Sequence, residues 1–247
     1  MSLLTDGIIA QLADLTEYES SIRDVASTEG IDLWAKLSVA RLEISLGIQK
    51  FLLEQQDGSF SINNVLVTEG LKQWHILQTL SVIYRDAYHQ QLNDRYKGKW
   101  KEYSDLANSA ASIYFSIGVA IALRPVSRPG GPVLGQTVGD QQAMTWYVQT
   151  SWLNPRGDES APSTMNSFST QEESALTVET LNAPQGVTGW NVYLGLSSES
   201  MFRQNASPLS LGQKWVMPGS LVTNGYFAAV VQAPDTFVRK RNLLRRG

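Results

Sequence analysis

Imidazole, thiol and carboxylate chemistry set the first bounds on this chain. It holds two histidines, His75 and His89, and no cysteine. That removes thiol nucleophiles, disulfide frameworks and cysteine-ligated zinc or iron–sulfur centres. The histidines are 14 residues apart, a separation of ~21 Å on one helix and too far to share a metal. Glu17 and Glu19 lie two apart and face different sides of a helix, and the adjacent Glu172 and Glu173 diverge. No carboxylate pair is nominated for acid–base work. P-loop, G-x-G-x-x-G and G-x-S-x-G patterns are absent. The expectation is a non-enzyme with no catalytic, cofactor-binding or metal-binding residue and no cofactor.

Four local patterns carry weaker signals. Arg156-Gly157-Asp158 spells an integrin-type tripeptide inside Asn154-Pro-Arg-Gly-Asp158, whose composition is that of a turn. Asn205-Ala-Ser207 matches a glycosylation acceptor by chance-level spacing. Arg95-Tyr-Lys-Gly-Lys-Trp-Lys-Glu-Tyr103 interleaves rings with lysines, as a nucleic-acid site does. At helical spacing, however, Tyr96, Trp100 and Tyr103 share one stripe and the lysines another, so a core row with a solvated face is expected. Trp146, Trp152, Trp190 and Trp215 form a sugar-stacking platform if they are exposed and coplanar, and an ordinary core if they are buried.

The elements that must position these residues come in two grammars. With 247 residues, 43% hydrophobic and 17% charged, the chain is globular. It is long enough for one large domain or two modest ones. Residues 1–124 contain no proline and 26 charged residues, whereas 125–234 contain all nine prolines and 11 charged residues. Because proline breaks helices, this shift marks a change of structural class. We expect an α+β protein of two domains: a bundle of about four helices over 1–124, a Pro/Gly linker over 125–132, an antiparallel immunoglobulin- or fibronectin-like β-sandwich over 133–234, and a basic tail over 235–247.

In the first part, Thr16-Glu-Tyr-Glu19 fits a capping box, Gly30 is placed to stop that helix and Asp32 to cap the next. The second helix carries Leu33, Leu37, Ala40, Ile44, Ile48 and Phe51 along one stripe. A third starts at Thr68 or Glu69 and is interrupted, or ended, at Gly98. Trp100, Tyr103, Leu106, Ala110, Ile113, Tyr114 and Ile117 line the last helix, which stops before Pro125. In the second part, 143–153, 174–181, 189–195 and 213–217 read as strands.

Met1 to Ala10 has no basic region, which argues against a secretory leader. Ala110 to Leu123 is too short for a membrane span. Synthesis in a cytoplasm and no membrane partner are expected. Charge is segregated: residues 235–247 carry net +4 and the rest −7. Phe237, Val238, Leu243 and Leu244 sit among Arg239, Lys240, Arg241, Arg245 and Arg246. The segment reads as a solubilising tail, a nucleic-acid anchor or a peptide that docks on an acidic partner, and apolar anchors among the cations favour docking.

Several stretches together resemble structural proteins of tailed bacteriophages: Leu71-Lys-Gln-Trp-His75, Tyr84-Arg-Asp-Ala-Tyr88, Gln91-Leu-Asn-Asp-Arg-Tyr-Lys-Gly-Lys-Trp100 and Thr188-Gly-Trp-Asn-Val-Tyr-Leu-Gly195. The last, with Gln204-Asn-Ala-Ser-Pro-Leu209 behind it, is similar to a fibronectin type III or immunoglobulin-like module of virion proteins. The helical half resembles the head–tail connector, or adaptor, family in layout. The resemblance implies a virion protein of the neck. It forms a homo-oligomeric ring, commonly a dodecamer, below the portal and continues a channel that DNA traverses without sequence-specific binding. It also implies that Phe237 through Arg246 contact the portal and that the chain meets other neck or tail proteins. The β domain departs from a minimal adaptor and would sit outside the ring. Two alternatives stand beside this one: a tail, collar or baseplate component whose β domain binds a host surface or another virion protein, and a carbohydrate-binding module.

Overall fold

The proline-free part of the sequence folds as helices in the computed structural model, which describes residues 1–7, 9–55, 59–91, 94–228 and 232–240. Its α-helices are α1 (Leu12–Tyr18), α2 (Ile22–Glu29), α3 (Leu33–Gln55), α4 (Glu69–Gln91) and α5 (Lys97–Ile117). Its strands are β1 (Val119–Ile121), β2 (Val133–Val138), β3 (Thr145–Leu153), β4 (Asn166–Ser169), β5 (Ser174–Glu179), β6 (Gly189–Gly195), β7 (Phe202–Arg203), β8 (Leu209–Ser210), β9 (Trp215–Val216) and β10 (Thr236–Val238). The class is α+β with two domains. The chain divides into a helical unit, Gly7–Leu123 with Pro234–Gly247, and a β unit, Met1–Asp6 with Arg124–Ala233.

Short-range chemistry sets most ends of the helices. Gly30 ends α2 with φ +63°, a conformation glycine adopts without strain. The Asp32 carboxylate accepts hydrogen bonds from the Trp34 and Ala35 amides and starts α3. The Thr68 hydroxyl accepts from the Leu71 amide at the head of α4. Two expectations are corrected. Thr16 does not cap a helix: it lies inside α1, where its hydroxyl donates to the Leu12 carbonyl, and the carboxylate that reaches back to a helix start is Asp14, on the Gln11 amide at 2.7 Å. Gly98 does not interrupt a helix. It is the second residue of α5, at the helix end rather than in its interior, and the short 3₁₀ turn Asp94–Tyr96 precedes it.

In the helical unit α4 packs against both α3 and α5. Ile44, Ile48, Leu52, Leu71, Leu80 and Ile83 are fully buried. Aromatic rings fill the rest. Phe51 stacks on Phe115 with centroids 4.6 Å apart, and Tyr84 stacks on Tyr103 at 5.5 Å.

The β unit holds two antiparallel sheets, one ordered β2-β5-β9 and the other β4-β3-β6-β7 with β8 also on β6. Alternation along β3 aims Trp146, Val148, Thr150 and Trp152 to one face, and β6 pairs beside it with Trp190 opposite Trp152. Leu176, Val178 and Trp215 of the other sheet complete one shared core.

The domain boundaries also shift. Residues 125–132 do not behave as a free linker, because Val126 is buried in the sandwich core and bonded to Gln232. Residues 235–247 do not begin as a tail. Thr236, Phe237 and Val238 form β10, antiparallel to Ile121, Ala120 and Val119. β1 in turn accepts the Leu66 amide at Ala120 and bridges Val65, so it is held on both sides within the helical unit.

Candidate functional site

α3 carries two apolar rows rather than one. Leu37, Ala40, Ile44, Ile48 and Phe51 face the core, whereas Val39, Leu42, Leu46 and Leu53 follow one another by threes, fours and sevens on an exposed face. Leu42, Leu46 and Leu53 are 59, 66 and 63% exposed. α5 repeats the arrangement. Tyr103, Ala107 and Tyr114 are buried, while Leu106, Ile113 and Ile117 form an uncovered row with Ala110 half-buried between them. The single lining row expected for this helix is therefore two rows with different fates. A 3–4 spacing of uncovered aliphatic residues is the pattern by which one helix seats on another.

Ion pairs tie α1 to α4 and α5. Glu19, at the end of α1, accepts from Lys99 Nζ at 2.9 Å, Tyr103 Oη at 2.8 Å and Ser21 Oγ at 2.8 Å. Burial alone would raise the Glu19 carboxyl, but the hydrogen bonds from Lys99, Ser21 and Tyr103 outweigh it and hold the carboxyl at about 2. Lys72 of α4 meets Asp14 of α1 at 2.8 Å.

The partner-contacting residues expected at the C-terminus divide into three groups. Val238 is buried within the helical unit and is not available for docking, because strand alternation turns it inward opposite Val119. Phe237 is its outward neighbour and 42% exposed. Arg239 and Lys240 are exposed, and Arg239 Nε donates to the Ile117 carbonyl at 3.0 Å, so the segment is tied to the end of α5. Arg241, Leu243, Leu244, Arg245 and Arg246 lie outside the described residues.

Gly118 makes this closure possible. It ends α5 at φ +117° and ψ +150°, a region reserved for glycine. A Cβ there would lie 2.9 Å from Arg239 Cγ and 3.1 Å from the Val238 carbonyl oxygen.

The remaining sequence signals resolve into structure. His75 is buried and its Nε2 lies 2.9 Å from the Leu37 carbonyl, so it ties α4 to α3. Burial pushes its imidazole down, against the opposing effect of that hydrogen bond. His89 is exposed further along the same helix, its ring 5.5 Å from Trp100. Among the described residues no three of His, Cys, Asp or Glu cluster as a metal site. Tyr96 and Tyr103 are buried while Lys97, Lys99 and Lys101 face solvent. Arg156 and Asp158 pair with each other at 2.8 Å, and Asn154 Oδ1 accepts from both of their amides, so the tripeptide is a closed turn. Asn205 is buried and bonded to Asn191 and the Val192 amide. Trp146, Trp152, Trp190 and Trp215 are all buried, so they build the sandwich core and present no platform.

Glu159 is a buried carboxylate with no motif around it to announce it. Glu159 accepts from Ser151, Asn191 and Tyr193, none of them a cation. Burial and this bond to Glu159 push the Tyr193 hydroxyl up. All four side chains are enclosed, so the cluster joins β3 and β6 to the segment after the turn and offers no open chemistry.

No protein family, curated protein or solved structure matches the chain. Among the described residues, no helix is long and apolar enough to cross a membrane.

Proposed function

We propose that the chain is a non-enzymatic structural protein of a tailed-phage virion: a head–tail connector that assembles into a ring of about twelve copies below the portal and continues the DNA channel. The observation that carries this reading is the pair of uncovered aliphatic rows, Val39–Leu42–Leu46–Leu53 on α3 and Leu106–Ile113–Ile117 on α5. Full burial of a leucine side chain is worth about 1.5–3 kcal/mol. Rows of this length on two helices of one unit are therefore strong surfaces for another copy.

Two different rows favour a head-to-tail contact, α3 of one copy on α5 of the next, and such contacts form a ring where the rotation between copies closes and an open filament where it does not. Net charge of −7 outside residues 235–247 suits a channel through which DNA slides. Contact with the portal and with other neck proteins falls to the exposed Phe237, Arg239 and Lys240 and to the segment after them.

The test is the mass in solution of the purified protein, alone and with purified portal. The wild-type protein is expected to form a ring, or to join the portal at a fixed multiple. The double variant Leu42→Glu/Leu46→Glu should keep its stability within about 0.5 kcal/mol, as exposed substitutions do, and lose self-association. A wild-type monomer that ignores the portal overturns the reading.

A further inference from the structure

The described part of the basic segment forms one wall of a cleft. A cavity of about 650 Å3 opens in the helical unit between α3, α5 and the residues after β10. Its floor is Phe51 and Phe115, stacked on each other, with Trp74 edge-on to Phe115 at 5.4 Å. Its rim carries Lys50, Arg239 and Lys240 against one carboxylate, Glu54, which stands 3.9 Å from Lys50. Arg239 is held in place by its bond to the Ile117 carbonyl, at the negative end of the α5 dipole. That bond uses one of the five guanidinium donors.

We propose that this cleft is a docking site for an acidic peptide segment of a partner protein, with an apolar side chain seated on the Phe51–Phe115 floor and carboxylates meeting Lys50, Arg239 and Lys240. Among the described lining residues, three cations to one anion give the sign of the ligand. The volume lies in the range of sites that take several groups at once, more than a single ion needs. The floor selects a peptide over a single nucleic-acid strand. Base recognition needs open ring faces to stack on, whereas Phe51 is buried and its ring and that of Phe115 already face each other. The inference rests on the reading of Arg239 and Lys240 as partner-contacting residues. It changes their part from a projecting tail to the wall of a receptor.

The experiment is fluorescence anisotropy on the full-length protein, with a fluorescein-labelled peptide Asp-Glu-Leu-Phe-Asp-Glu as probe. The same peptide with lysine in place of each acid, and a labelled oligothymidine, serve as comparisons. The acidic peptide is expected to bind saturably, and more weakly as salt is added. It should bind at least about tenfold more tightly than either comparison. Lys50→Glu and Lys240→Glu, both at exposed positions, should each weaken it by about tenfold or more with unchanged thermal midpoints. A chain truncated after Lys240 retains every described residue of the cleft and should bind within about threefold of wild type. Equal binding of oligothymidine, indifference to both charge reversals, or loss of binding on truncation would each overturn the proposal. Peptide binding by a protein that neither self-assembles nor joins the portal overturns the connector reading alone. Portal binding without peptide binding overturns the cleft alone.

Discussion

The helical and β units treat their apolar side chains in opposite ways. The β unit encloses Trp146, Trp152, Trp190 and Trp215 in one core, and most of its exposed apolar residues stand singly in loops, as Leu181 and Leu196 do. Scattered apolar exposure of that kind is normal for any protein surface. The helical unit closes an equally complete core and still leaves aliphatic rows in register along α3 and α5. The contrast separates a unit that encloses its large apolar side chains from one that leaves aliphatic rows exposed.

The strongest way to break the comparison is to open the finished core. Trp190 is fully buried and donates its indole N–H to the Ser210 carbonyl. Trp190→Ala should cost about 3–5 kcal/mol. The β-sheet band in amide infrared spectra should then melt earlier while the helix signal in circular dichroism keeps its midpoint. If the two signals shift together by the same amount, the units unfold as one and the contrast between them is thermodynamically empty.

A smaller effect is expected where the chain returns to the helical unit. Gly118→Ala places a side chain in a backbone region that costs about 1–3 kcal/mol, against atoms 2.9 and 3.1 Å away. Hydrogen exchange at β1 and β10 should speed up before exchange in α4 does. Uniform acceleration would mean that the terminal strand is not a separable seal.

The smallest effect sharpens the comparison through pH. Glu19 is held at about 2, below its ordinary 4.5. Its contribution is therefore present above the ordinary value and is lost as acid protonates the native carboxylate, between about pH 5 and 2. Removing a hydrogen-bonded carboxylate of this kind costs about 1–3 kcal/mol at neutral pH. The stability of Glu19→Gln should vary less across that window than that of wild type, and the difference should fall on the helical unit. Parallel curves would show that Glu19 gives the unit no acid sensitivity.

What was legible in the sequence follows the range of the forces involved. Gly30, Asp32 and Thr68 act within a turn of the chain, so they mark helix ends correctly. The proline boundary is a local property too, and it falls next to the Leu123/Arg124 division between the units, with β1 and β10 as strands on the helical side. Periodicity found the core row of α3 but not its second row, because Leu42 and Leu46 look as apolar as Ile44 and Ile48 until a neighbour is or is not there. The pairing of β10 with β1 joins residues more than a hundred positions apart, and three-residue strands carry no periodic signal of their own. For the same reason the basic segment was visible while its anchoring was not. Arg239 and Lys240 stand out by charge, but Gly118 and the Ile117 carbonyl that fix them are distant in sequence.

Neither unit is a continuous stretch of chain, and this imposes an order on synthesis. The strand at 236–238 leaves the ribosome only after the whole β unit has been translated. Until then β1 has one unpaired edge, and the apolar Val119 and Ile121 wait for their cover. Residues 1–6, made first, wait in turn for 124–233. A chain halted anywhere in the β unit would therefore carry a bundle with an open seam, marked for chaperones and proteases by the absence of its last strand.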